Sequence, residues 1–211
     1  RDGELDVATR RALSDFQAAN DLAVSGEITD EVATAVEAAL WRHIQTRLEI
    51  LGYAEPTPGG ETDESSRAAL AAFRDSQNLD AEDTLDEDTL EALNRSTVRY
   101  LQERLKILGF DPGRLDGEWD AATREAVLAF QEDRELASNE TVAPAWVDTL
   151  DQEATRYVQE RLQLLGLRPG NTDGEMTPTT REAIREFQSQ AELPVDDSLQ
   201  ADWVIALDLA I

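Results

Sequence analysis

The 211-residue chain carries 45 acidic against 19 basic side chains, a formal net charge of −26, which disfavours nucleic acid and anionic membrane surfaces as partners. With no cysteine and a single histidine, His43, it offers neither a disulfide framework nor a thiolate zinc site, and no convincing Ser-His-Asp or Cys-His arrangement. No apolar run approaches the roughly 20 residues that would cross a bilayer.

Aligned with itself at an offset of 57 residues, the chain brings like residues into register without a gap. Phe16, Phe73, Phe130 and Phe187 form one column, Arg10, Arg67, Arg124 and Arg181 a second, and Gly3, Gly60, Gly117 and Gly174 a third. The period divides the chain into a partial module at 1–41, which lacks its first third, and full modules at 42–98, 99–155 and 156–211. The incomplete first module is expected to be a piece of a longer array.

In chain order, the partial module opens on a helix capped by Asp6, with Ala12, Leu13 and Phe16 on its apolar face. A second helix follows Thr29 and carries Val36 inward. In the second module, Ile44, Leu48 and Leu51 recur at helical spacing and Gly52 ends the helix, since a residue without a Cβ takes the left-handed conformation easily. Asp63 then caps a helix burying Ala69, Leu70 and Phe73, and Asp86 opens a helix burying Leu93.

The third module repeats this with Leu101, Leu105, Leu108 and Gly109, then the Asp120 cap with Ala126, Val127 and Phe130, then a helix after Ala143 with Pro144 in its first turn and Leu150 inside. The fourth has Val158, Leu162, Leu165 and Gly166, the Thr177 cap followed by Pro178 with Ala183, Ile184 and Phe187, and a last helix after Gln200 burying Leu207. The predicted fold is all-α, a tandem array of small three-helix bundles. No Gly or Pro separates the third helix of one module from the first helix of the next, so Asp30 to Leu51 reads either as one helix of roughly 33 Å or as two helices with a turn near Ala39. The sequence leaves both open.

The stretch LQERLKILGFDPGRLDGEWDAATREAVLAFQ resembles the bacterial peptidoglycan-binding domain, a compact three-helix module. VQERLQLLGLRPGNTDGEMTPTTREAIREFQ and IQTRLEILGYAEPTPGGETDESSRAALAAFR repeat it. The resemblance implies non-catalytic attachment to peptidoglycan, through glycan or stem peptide, by an array that anchors or positions a larger envelope protein. It implies an extracytoplasmic setting, in the periplasm or at the cell surface of a bacterium. The chain departs from the family where a glycine usually precedes the Leu22 column: Asp21, Asn78, Glu135 and Glu192 stand there. The second module has Gly59 where Asp2, Asp116 and Asp173 stand elsewhere, and Arg74 in place of Gln17, Gln131 and Gln188, which makes it the module expected to have lost binding first.

Candidate ligand-binding residues are Arg104, Phe110, Asp116, Trp119, Arg124 and Gln131 in the third module and Arg161, Asp173, Arg181 and Gln188 in the fourth. A guanidinium grips a carboxylate through paired hydrogen bonds, which suits stem peptides, and an exposed indole stacks on a sugar face. Each also has a plainer role. An Asp before Gly commonly bonds its own turn, the hydroxyls Thr9, Ser66, Thr123 and Thr180 cap a loop, the arginines pair with neighbouring acids, and Phe110 and Tyr53 complete a helix end. Trp146 and Trp203 are expected to pack within the third helix of their modules. No catalytic residue, metal ligand or cofactor is indicated. The alternative reading is a structural spacer or a protein interaction and assembly array, with other chains or other domains of the same protein as partners.

Overall fold

In a computed structural model, residues 5–54, 62–80, 85–138, 141–196 and 198–211 are described. Every regular element among them is helical. In order these are α1 (Val7–Ala19), α2 (Asp30–Ile50), α3 (Glu64–Ser76), α4 (Glu87–Ile107), α5 (Ala121–Asp133), α6 (Pro144–Leu164), α7 (Pro178–Gln190) and α8 (Ala201–Leu209). Asp2, Gly3, Gly59 and Gly60 lie outside the described residues.

Helix starts follow the sequence closely because their determinants are local. Asp6, Asp63 and Asp120 accept from the backbone amides of Thr9, Ser66 and Thr123, and Thr177 does the same for Thr180. Ends are equally local. Gly52, Gly109 and Gly166 adopt positive φ, and the next residue returns its amide to the carbonyl five residues before it, as Phe110 does to Leu105 at 2.9 Å.

α2, α4 and α6 are each continuous over 21 residues, so the choice between a shared helix and a turn falls to the shared helix. In the sequence repeat each of these helices spans the third-helix segment of one module and the first-helix segment of the next. The starts read from the repeat, at Arg42, Arg99 and Arg156, therefore fall inside helices.

The chain divides into two compact units, Arg1–Ala81 with α1 to α3 and Glu82–Ile211 with α4 to α8. In the second unit the third and fourth modules are three-helix bundles: the C-terminal half of α4 with α5 and the start of α6, then the rest of α6 with α7 and α8. The fourth module's core joins Val158 and Leu162 of α6, Ile184 and Phe187 of α7, and Val204 and Leu207 of α8, with Ile107 of α4 at its edge. Trp146 and Trp203 pack within their helices as expected, each indole donating to a backbone carbonyl, of Thr141 and Ser198 respectively.

The fourth module's last helix is also held from α4. The buried Glu103 carboxylate accepts the Ala201 amide at 2.6 Å, which supplies the N-terminal cap that Gln200 does not. Arg104 Nη1 donates to Leu199 O at 3.1 Å beside it. Adjacent modules thus share a helix and a cap.

The first unit corrects one expectation. Val36 is 44% exposed, Ala12 is exposed, and Leu13 and Phe16 are only half-buried, whereas Leu150, Leu207, Phe130 and Phe187 are buried. The reason is the missing third of the module: among the described residues no first helix lies against α1 and the start of α2.

Candidate functional site

The loop between the first and second helices, with the helix start that follows it, carries half of the candidate residues, and it is built from beneath by one glutamine. Gln102 projects from α4 and is fully buried; its Oε1 accepts the Gly117 amide at 2.9 Å while Nε2 donates to Glu118 O at 3.1 Å and Thr123 Oγ1 at 2.9 Å. Gln159 repeats every bond with Gly174, Glu175 and Thr180 in the fourth module. Gln45 donates to Ser66 Oγ at 2.8 Å in the second. Ser66, Thr123 and Thr180 are buried, and the last two donate to loop carbonyls as the capping role required, whereas Thr9 is exposed.

The loop glycine is fixed by contact as well as by conformation. Gly117 and Gly174 have φ of 80° and 85°, and a Cβ on either would overlap a backbone carbonyl oxygen of the helix below, that of Arg95 or Gln152. Asp116 and Asp173 each accept the amide two residues on, from Glu118 and Glu175, both at 3.0 Å. That bond holds the Asp173 carboxyl below the ordinary carboxylate range. One oxygen of each carboxylate is thus committed to its own turn, while the side chain stays half-exposed at the surface.

Trp119 is half-buried on the same loop, three residues beyond Asp116, and Arg124 follows in the first turn of α5. Arg181 stands exposed at the matching place on α7. The structure brings Asp116, Trp119 and Arg124 onto one loop and helix start, and Asp173 and Arg181 onto its counterpart.

Five other candidates lie elsewhere. Arg104 Nε donates to Asp151 Oδ1 at 3.0 Å and its guanidinium lies 3.4 Å over the Tyr100 ring, while Tyr100 donates its hydroxyl to the same oxygen at 2.5 Å. Burial pushes the Tyr100 phenol upward, which keeps its proton on the oxygen at neutral pH. Arg161, Tyr157 and Asp208 repeat the arrangement. Both arginines pair with acids of their own module.

Gln131 and Gln188 are fully buried; Gln188 exchanges bonds with Asp196 through Nε2 and Oε1, as Gln17 does with residues 25–27. Phe110 stacks edge-on against Phe130 at 5.6 Å and completes the end of α4. Among the described residues no group of three or more His, Cys, Asp or Glu side chains is placed to hold a metal ion.

A family model described as "Putative peptidoglycan binding domain" matches the chain three times, over residues 37–93, 94–139 and 151–197. The chain belongs to the peptidoglycan-binding domain family. A curated relative, the carboxy-terminal processing protease CtpB of Bacillus subtilis (strain 168), is 36% identical over 61 residues, 29% of this chain and 13% of the protease. The chain thus spans only a small part of that relative's length. No solved structure matches it.

In these peptidoglycan-binding modules the sequence reading missed the buried glutamines Gln45, Gln102 and Gln159 and the acids opposite the arginines. The signal for the acids was present: Asp151 and Asp208 stand 47 residues after Arg104 and Arg161, and both carry a tyrosine four residues before the arginine. The second module has His43 and Asn94 at those two places, so tyrosine and acid change together.

Proposed function

We propose that the chain is a non-catalytic peptidoglycan-binding array that anchors or positions a larger envelope protein at the bacterial wall, in the periplasm or at the cell surface. The observation that carries this reading is the run of three successive matches to the peptidoglycan-binding domain, covering well over half of the chain. The contact surface on this reading is the loop before the second helix and that helix's first turn: Asp116, Trp119 and Arg124 in the third module, Asp173 and Arg181 in the fourth. The half-exposed carboxylates and the guanidiniums offer hydrogen bonds to sugar hydroxyls and stem-peptide carboxylates, with Asp116 exchanging its ion pair with Arg114 for the ligand, and Trp119 offers an apolar plate. Arg104, Arg161, Phe110, Gln131 and Gln188 support this surface through packing rather than by touching ligand. Weak single sites on one chain become strong together, because each later contact forms at an effective concentration of about millimolar.

Sedimentation with purified sacculi tests the proposal. Retention in the pellet at both low and moderate salt is expected, reduced by the pair Trp119→Ala and Arg124→Gln at unchanged helicity; no retention at either salt overturns it.

A second reading, a stiff acidic spacer or assembly array, is favoured by the continuous helices shared between modules, which suit reach and rigidity. The same assay separates the two.

A further inference from the structure

Two of the chain's three Asp-Gly pairs, Asp116-Gly117 and Asp173-Gly174, stand in the described loops. An aspartate followed by glycine is prone to backbone rearrangement in water, because no Cβ shields the glycine nitrogen from the side-chain carboxyl one residue back. The nitrogen bonds to the aspartate Cγ, and the protonated carboxyl gives up its hydroxyl, which leaves as water with the amide proton. A succinimide ring results. A second water then opens it at either carbonyl, restoring the aspartyl linkage or giving isoaspartate, in which the main chain runs through Cγ and is longer by one carbon.

Ring closure requires the Asp-Gly peptide group to turn about the aspartate Cα–C bond, and because that group is planar its carbonyl and amide must turn together. Both ends are held in each loop. Gly117 N donates to the buried Gln102 Oε1 at 2.9 Å, while Asp116 O accepts from Arg95 Nε at 3.3 Å. Gly174 N donates to the buried Gln159 Oε1 at 2.9 Å, while Asp173 O accepts from Gln152 Nε2 and Arg156 Nη2, both at 3.2 Å. The carboxyls are held as well, by the amides of Glu118 and Glu175 at 3.0 Å. Each glycine also lies against the carbonyl of Arg95 or Gln152 on the helix below. Reactive pair and restraint thus recur together in the third and fourth modules. The second module has Gly59-Gly60 at this place, a pair that cannot form the ring.

We infer that Asp116-Gly117 and Asp173-Gly174 are isoaspartate-forming sites that the folded loop keeps closed, with Gln102 and Gln159 as the locking residues. Local opening of the loop is the step that exposes the chemistry. Rearrangement would displace each loop carboxylate and lengthen the main chain that carries it. The inference is independent of whether the loop touches wall material.

The test incubates the full chain at neutral pH with and without denaturing urea and measures isoaspartate in the tryptic peptides 115–124 and 162–181, which report the two pairs separately. The folded chain is expected to react about tenfold or more slowly than the unfolded chain at both pairs. Gln102→Leu, at native helicity, is expected to raise the rate at Asp116 by about fivefold or more and to leave Asp173 unchanged, and Gln159→Leu to do the reverse. Arg95→Ala removes an exposed side chain, frees only the carbonyl end and is expected to raise the rate at Asp116 by a smaller factor. Equal rates in the folded and unfolded chains overturn the inference. So do Gln102→Leu and Arg95→Ala chains of native helicity in which Asp116 reacts no faster. An equal acceleration of Asp116 and Asp173 in Gln102→Leu overturns it too, because the protection would then belong to the fold as a whole.

Discussion

Replacing Gln102 by Leu tests how the candidate loop is held. Leucine fills a similar volume, so little apolar packing is lost, and the substitution isolates three hydrogen bonds: from the Gly117 amide at 2.9 Å, to Glu118 O at 3.1 Å and to Thr123 Oγ1 at 2.9 Å. The Gly117 amide is buried and has no route to water, and a buried polar group left without its partner costs about 1–3 kcal/mol. Glu118 O keeps the Thr123 hydroxyl at 3.2 Å, so its loss is partial. The sum is about 3 kcal/mol. At roughly 4 °C per kcal/mol for a unit of this size, the melting midpoint of Glu82–Ile211 should fall by about 12 °C. Thermal and urea unfolding of the full chain followed by circular dichroism, with amide exchange at Gly117, read this directly. A fall below about 2 °C with Gly117 still protected would refute the claim that this glutamine holds the loop.

Glu135 and Glu192 sit at φ of 54° and 56°, where a side chain costs about 1–2 kcal/mol and glycine's extra unfolded-state freedom about 0.5–1 kcal/mol. Glu135→Gly should therefore raise the urea midpoint, by about 0.5–1 kcal/mol in stability, while Asn78→Gly does less because asparagine tolerates that conformation. Glu103→Ala should remove the α8 cap at about 1–2 kcal/mol and speed exchange in the first turn of α8 more than in α7. The pH response should differ between caps. The carboxyls of Asp63 and Asp120 lie below their ordinary value, chiefly through the amides of Ser66 and Thr123, so the stability they contribute is present above about pH 4 and is lost as pH falls through the lowered value. Amide protection in the first turns of α3 and α5 should therefore decline on acidification toward pH 2, while α7, capped by the hydroxyl of Thr177, holds longer.

Helix boundaries were legible because each is decided within a few residues: Asp120 meets Thr123, Gly109 turns the chain, Pro178 opens α7. The shared helices were half-legible, since absence of Gly and Pro permits continuity without requiring it. Gln102 was hidden because a polar residue beside Leu101 reads as surface; only the fold shows that the loop returns over it. The arginine columns stood out, yet their partner Asp151 is distant in sequence and reached only through the bundle. Val36 and Phe16 misled for the opposite reason, as the repeat assigns them to a core whose first helix has no counterpart beside α1 among the described residues. The residues Asp116, Trp119 and Arg124 were picked out by type and lie together because one loop carries them.

Titration of the full chain with soluble muropeptides, followed by backbone amide chemical shifts, tests the wall-binding claim most directly. Saturable shifts centred on residues 114–124 and 171–181, with little change at Gln131 and Gln188, are predicted. A folded chain whose amides do not move at millimolar muropeptide would contradict it.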